Sequence, residues 1–403
     1  MKKGWQNKVL GELCSLENGD RGENYPSKSV QTTSGVPFIN AGHLSESGID
    51  FTGMNYIPRE RFDLLGNGKI RKNDVLFCLR GSLGKSASVG DLEEGAIASS
   101  LVIIRPGDAL LNEFLLAYLQ SDLCAEMIHA FKNGAAQPNL AAASLKKFQI
   151  PLPPLPEQQR IVAILDEAFD GIATAKANVE KNLQNARALF ESHLQSVFTE
   201  RGEGWVEKTL GDIAQVKGGK RVPKGYKLLV EPTKFPYLRV TDFNDSGSID
   251  MSDLRYVSAE VHREIKNYII TSADMYISIA GTIGKTGIIP EELDGANLTE
   301  NACRLVFHPG ISNRFVYFFT QTKDFVEQAG LNTRTAAQPK LALSRLSTIQ
   351  LGIPPLAVQE SLANKFDELR AETQRLESLY QQKLAALDAL KKSMLHQAFT
   401  GAL

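Results

Sequence analysis

Apolar positions along this chain fall into two kinds of pattern, and both occur twice. In residues 1–156, short apolar runs stand between Gly, Pro and Asn turns: VPFIN (36–40), DVLFCL (74–79) and SLVIIRP (100–106). Runs of that length between turn residues predict strands. A helix candidate follows at NEFLLAYLQSDLCAEMIHAF (112–131), and the Pro-rich IPLPPLPEQQ (150–159) then stops the module, because proline removes donors and stiffens the chain. Beyond it the pattern changes. Leu165, Ile172 and Val179 are seven apart, as are Leu183, Phe190 and Val197. Apolar residues at steps of three and four over about 40 residues predict one helix, roughly 60 Å long, with a single apolar seam.

The second half restates the first. WQNKVLGELCSLENGDR (5–21) returns as WVEKTLGDIAQVKGGKR (205–221), and KNDVLFCLRGSLGKSA (72–87) as SADMYISIAGTIGKTG (272–287), which aligns Asp74 with Asp274. GAAQPNLAAASLKKFQIPLPPLPEQQ (134–159) returns as TAAQPKLALSRLSTIQLGIPPLAVQE (335–360), now offset by 201. The second seam runs through Phe366, Leu369, Leu376 and Leu387. These eight positions (Leu165, Ile172, Val179, Leu183 and the four just named) are expected to form a coiled-coil core. The expected architecture is α+β: a tandem duplication of an α/β module plus a long helix. The two helices pair as an antiparallel coiled coil with pseudo-two-fold symmetry. Segment boundaries are placed at 1–156, 157–200, 201–355 and 356–403.

Composition narrows the class. At 403 residues, 43% hydrophobic and 23% charged, the chain is globular and too long for one core. No stretch is apolar enough to span a membrane, and the start, MKKGWQNKVLGEL, lacks the apolar run of a secretory signal. Four scattered cysteines and six histidines show no metal spacing, so reduced thiols, a cytoplasmic location and no metal are expected. The net charge of −1 excludes a uniformly basic coat but allows a local basic face.

Catalytic motifs are weak here. GSLGKS (81–86) and GTIGKT (281–286) have Leu79 and Ile279 where a phosphate-binding loop needs its first glycine, so a turn is expected. Asp253, Glu264 and Lys266 faintly imitate a nuclease triad but have no counterpart in the first copy. The chain carries neither the FxGxG loop nor the (D/N)PP(Y/F) quartet found in adenine methyltransferases.

The W…LG[ED] openings, the G-[ST]-[LI]-G-K turns, the AAQP segments and the IPLPPLPEQQ hinge before a long helix, in this order and twice over, resemble the specificity (S) subunit of Type I restriction–modification systems. The likeness covers nearly the whole chain; the second hinge departs slightly, reading PPLAVQE. It implies two target recognition domains, each reading one half of a bipartite, asymmetric site in double-stranded DNA. The helices would set the spacing and dock two DNA methyltransferase (M) subunits, which would carry S-adenosylmethionine. Restriction (R) subunits would join them, and this chain would hold no cofactor and do no chemistry. A coiled-coil scaffold with protein-binding modules and a nucleotide-binding enzyme built on GSLGK are the rival readings.

Candidate DNA contacts follow from charge and from differences between the copies. Lys217, Lys220, Arg221, Lys224 and Lys227 surround Tyr226 with no acid among them, against a mixed ENGDRGENYPSK (17–28) that retains Arg21. Such cations suit phosphates. Polar residues at aligned places are candidate base readers: Asn40, His43 and Arg80 in the first copy, Arg239 and Asp242 in the second, with Ala280 opposite Arg80. Ser82 and Lys85, Thr282 and Lys285 lie on the glycine turns. Gln137, Gln338 and Arg334 lie in or beside the AAQP segments.

Overall fold

The computed structural model describes residues 3–46, 48–134, 138–331 and 340–403. They divide into two compact units, residues 1–180 with 381–403, and residues 181–380. The division passes through both long helices, so the units cut across the four segments read from the sequence.

In the first unit, the strands Cys14–Asn18, Leu101–Pro106, Val75–Cys78 and Ser86–Ser88 pair in that order as an antiparallel sheet. Side chains alternate across it with period two. Val75, Phe77, Val102 and Ile104 enter the core shared with the helices, while Leu76, Cys78, Leu101 and Ile103 enter a second core. A sheet buried on both faces needs the continuous apolar runs seen in the sequence, and each such side chain contributes about 1.5–3 kcal/mol on burial. The second core is closed by a smaller sheet, Asn55–Ile57, Val36–Ile39 and Ala96–Ile97. The strand Gln6–Val9 pairs with Gln149–Leu152 and ties the start of the unit to the hinge.

The second unit repeats this plan. Ala214–Gly218, Ala302–Phe307, Met275–Ser278 and Thr286–Gly287 form its main sheet, and Val206–Thr209 pairs with Gln350–Ile353. Met275, Ile277, Cys303 and Leu305 face the helical core; Tyr276 and Ala302 face the other.

The helix expected at 112–131 is two helices, Asn112–Leu119 and Asp122–Phe131. Ser121 breaks it: its buried hydroxyl accepts from Cys124 N at 3.4 Å and starts the second helix. Thr322 does the same at Phe325 N, 3.3 Å away, between Asn313–Phe319 and Lys323–Ala329.

The long helices run Leu155–Glu200 and Leu356–Thr400, 46 and 45 residues, so each is roughly 70 Å at ~1.5 Å per residue. Pro156 lies in the first turn, where its missing N–H has no partner to lose. Within each unit the helical segments are antiparallel. In the first, Leu165 packs with Leu395 and Phe399, and Lys176 pairs with Asp388. In the second, Phe198 stacks on Phe366 and Arg187 Nε lies 2.8 Å from Glu377. Of the expected seam, Leu165, Ile172 and Phe366 are buried; Val179, Leu183, Leu369, Leu376 and Leu387 are half-buried. Two helices alone cover a seam only partly; Leu165 and Phe366 also belong to the cores that the helices share with the modules.

Candidate nucleic-acid interface

Each G-[ST]-[LI]-G-K segment is a hairpin turn. It joins Val75–Cys78 to Ser86–Ser88 and Met275–Ser278 to Thr286–Gly287, antiparallel partners in both units. Gly81 and Gly84 (φ +79° and +88°), and Gly281 and Gly284 (φ +75° and +92°), adopt left-handed backbone that side-chain-bearing residues avoid. A phosphate-binding loop runs from strand into helix; here the next element is a strand, so these turns are not of that kind.

Two further devices brace the frame in both units, the first before the strand, at its end away from the turn. The buried carboxylates of Asp74 and Asp274 accept from Arg71 N at 2.8 Å and Thr271 N at 2.9 Å. Asp74 also accepts two bonds from Arg105, at 2.8 and 2.9 Å. Arg304, which attends Asp274 at 3.9 Å, comes from a different register position: it pairs with Tyr276, whereas Ile103 pairs with Leu76. Glu17 joins the first cluster. Burial raises its carboxyl, but Arg105 and the Gly68 amide outweigh burial and hold it below the ordinary value. Gly19 and Gly219 allow the second device, a close crossing. A Cβ there would fall 2.6 Å from Ala98 O and 2.0 Å from Thr299 O.

This frame brings Arg21 to Ser99 O at 3.2 Å in the first unit. In the second, Arg221 reaches the side chain of Glu300, the residue equivalent to Ser99, at 2.5 Å. Arg80 Nε donates to Asn139 at 3.1 Å. Its counterpart Ala280 offers nothing, but Lys340, opposite Asn139, donates to Glu300 O at 2.6 Å. The equivalence of Asn139 and Lys340 is fixed by their neighbours: Leu140 N and Leu341 N donate to Leu79 O and Ile279 O, each at 2.9 Å. A cation is thus present beside the turn in both units, delivered from different segments of the frame. Arg221, Tyr226, Arg239 and Thr282 line one concavity of about 660 Å³ with Glu300 and Asn301.

Several expected contacts are otherwise engaged. His43 and Asp242 are buried, 6% and 3% exposed. They are matching staples: Asn40 N donates to His43 Nδ1 at 3.1 Å, and Arg239 N to Asp242 at 2.7 Å. Asn40 Oδ1 accepts from Gly42 N at 2.7 Å, and the Arg239 guanidinium is held by Asp242 and Asp253. Asp253, one member of the faint nuclease imitation, is therefore an ion-pair partner. Lys285 is bound to Phe243 O at 2.7 Å and Asp245 at 3.0 Å, and Lys85 reaches Ala41 O at 3.3 Å. Both lysines thus tie the turn to the staple.

The run 217–227 is not a single loop. Lys217 belongs to the strand Ala214–Gly218, and Lys220 lies 5.6 Å over the Tyr268 ring. Lys224, Tyr226 and Lys227 are exposed, as are Arg21, Arg80, Ser82 and Thr282. Gln137, Gln338 and Arg334 lie outside the described residues. Sequence reading missed Asn139, Glu300 and Lys340; the copy-to-copy difference at 139/340 was the available signal.

All four cysteines are buried thiols, and burial pushes Cys14, Cys124 and Cys303 up to about 12, which makes them poor nucleophiles. Among the described residues no group of His, Cys, Asp and Glu is arranged to hold a metal ion, and no helix is long and apolar enough to cross a membrane.

Comparison with known proteins agrees with this geometry. Residues 2–184 and 202–385 each match the Type I restriction modification DNA specificity domain. The chain is 20% identical to the Escherichia coli Type I restriction enzyme EcoKI specificity subunit, over 100% of this chain and 90% of that one. It is 23% identical to the EcoBI specificity subunit, over 68% of this chain but only 63% of that relative's length. A solved structure from work on complex assembly and conformational transition of the type I R-M system has a TM-score of 0.82 at 19% identity, covering 100% and 99% of the two chains. The HsdS subunit from Thermoanaerobacter tengcongensis gives 0.65 at 19%, covering 100% and 98%. With two specificity domains spanning most of its length, on a frame built twice, this chain belongs to the Type I restriction–modification DNA specificity family.

Proposed function

We propose that the chain reads a split DNA sequence, one half with each unit, and leaves the chemistry to partner subunits. One observation carries this reading: the frame is kept while the side chains it presents are exchanged. Asp74/Asp274, Gly19/Gly219 and the hairpin turns recur, whereas Arg21–Ser99 becomes Arg221–Glu300, and Arg80–Asn139 becomes Ala280–Lys340. Two similar scaffolds offering different donors and acceptors suit two different half-sites, hence an asymmetric target.

The helices are the docking surface for two copies of a methyltransferase subunit that binds S-adenosylmethionine and methylates adenine. Exposed leucines recur at equivalent positions in support of this. Leu155 and Leu390 belong to the first unit, Leu356 and Leu189 to the second, and all are 38–64% exposed. Single exposed leucines are ordinary; the same pair in both copies fits a repeated partner. Restriction subunits would complete the assembly.

The test is long-read mapping of methylated adenine in cells carrying the partner methyltransferase, with and without this chain. A split motif with a fixed gap that appears only with the chain is expected. Replacing residues 1–156 by those of a relative should then change one half of that motif. Methylation indifferent to the chain, while the methyltransferase binds it, would overturn the reading.

A further inference from the structure

The two units differ at one notch between a module helix and a long helix. In the second unit, Arg314 on Asn313–Phe319 pairs with Asp367 and donates to Asn364 at 3.0 Å. One turn further on, Arg370 donates to Tyr317 at 3.0 Å and Gln321 at 2.6 Å, with its guanidinium 4.6 Å from the Phe318 ring centre. This unit fills its own notch with two guanidinium groups.

The duplication gives the matching residues in the first unit. Gln158 and Gln359 fix the register, since each accepts from the start of its module helix (Leu111 N, Ser312 N) at 2.9 Å. Counting from them, Glu113 stands where Arg314 does, Asp166 where Asp367 does, and Phe169 where Arg370 does. The place is a concavity of about 480 Å³ lined by Glu113, Asp166 and Asp170 over Leu116 and Phe169. Its one cation, Lys391, lies 5.0 Å over Phe169 and is bound to Glu46 at 2.5 Å. Among the described residues, Glu113, Asp166 and Asp170 have no ion-pair partner. Burial, then Asp170 and Glu113, raise the Asp166 carboxyl, the direction expected when like charges face one another.

A bare metal ion does not suit the place, because no metal-holding group of carboxylates exists among the described residues. An acidic rim over an apolar floor suits a charged head on an aliphatic stem. We propose that this notch receives an arginine or lysine side chain of the methyltransferase subunit docked on the first unit, supplied in trans where the second unit uses Arg314. The inference rests on the docking reading above, and it makes the two docking sites unequal: only the first depends on an ion pair with the partner.

The test is titration of the full chain with the methyltransferase subunit at 0.05 and 0.5 M salt, counting bound copies by native mass spectrometry. Two copies are expected at low salt, with one binding step weakening as salt rises. Glu113→Arg should give that step about tenfold lower affinity and remove its salt dependence, while the free chain melts about 2 °C higher because the new arginine can pair with Asp166. Glu113→Gln should fall between. Because Arg314 occupies the equivalent place, Glu113→Arg is compatible with the fold, and its melting curve checks that. If Glu113→Arg binds two copies as the unaltered chain does, the inference falls alone. If the unaltered chain binds no methyltransferase, it falls together with the docking reading.

Discussion

The Gln158 side chain is fully buried, yet it answers three backbone groups at once: Leu111 N, Ala109 O and Pro153 O, each at 2.9 Å. Those groups belong to the start of a module helix and to the hinge, so one amide joins the module to the long helix. Gln158→Met keeps the volume but strands all three partners, and should lower unfolding free energy by about 1–3 kcal/mol, measured by urea denaturation. A loss under about 0.5 kcal/mol would mean that water replaces the amide. The hinge motif was legible in the sequence, but this role was not, because two of the three partners, Leu111 N and Ala109 O, lie 47 and 49 residues away. Glu17 gives a pH signature at the same scale. Its folded carboxyl lies below the ordinary 4.5. The stability it adds is therefore present above that value and is lost as pH falls through the lowered folded value. Glu17→Gln should be less stable than the parent near neutrality and should lose less between pH 4.5 and 3, as followed by thermal melts. Identical pH profiles would show that Arg105 binds Glu17 without linkage to folding. Base readers were the least legible residues. Asn40, His43 and Asp242 are polar and aligned, as readers would be, yet sequence alone does not distinguish an exposed donor from one spent on a buried staple.

The long helices were read with their hinge, seam and direction of pairing because period and proline are local signals. Their use was not legible, since period alone does not say which apolar positions along a helix are covered. Ile172 is 6% exposed and Leu189 64%, although both are apolar residues of one continuous helix. Substitution should separate them. Ile172→Asp places a charge at a buried position and should cost about 2–4 kcal/mol. Leu189→Asp should change stability by no more than about 0.5 kcal/mol while weakening methyltransferase binding. Melting curves with co-purification check both; strong unfolding by Leu189→Asp would place that leucine in the core and remove it from the docking surface. The broken helix at Ser121 and Thr322 teaches the converse. Apolar periodicity continues across the break, and only the capping hydroxyl marks it.

For the molecule as a whole, a net charge of −1 leaves DNA affinity to local cations, and these are unevenly distributed. In the second unit Lys217, Lys224 and Lys227 are exposed, and among the described residues Arg221 is held by one ion pair, with Glu300, at the surface on the arginine's side (79% and 25% exposed). A pair of that kind is worth roughly 0–1 kcal/mol, so a phosphate can replace the glutamate at little cost. In the first unit the matching arginine, Arg21, rests on a carbonyl, and Asp20 beside it is bound by the Gly22 and Gly66 amides. The second unit should therefore supply more of the sequence-independent grip, and the exchanged donors at Arg80 and Lys340 more of the discrimination. Replacing Lys217, Lys224 and Lys227 by alanine takes away three candidate partners for DNA phosphates. Each phosphate left without its lysine should flatten the slope of log affinity against log salt by about 0.9. The variant should accordingly lose roughly two to three from that slope and bind cognate and unrelated duplexes weaker by similar factors, while the methylated motif stays unchanged. Fluorescence anisotropy at several salt concentrations gives the slope, and adenine mapping gives the motif. An unchanged slope would show that these lysines face solvent in the complex. An altered half-motif would show that at least one of them reads a base, which would move the reading surface of the second unit from the Glu300 concavity onto this cationic run.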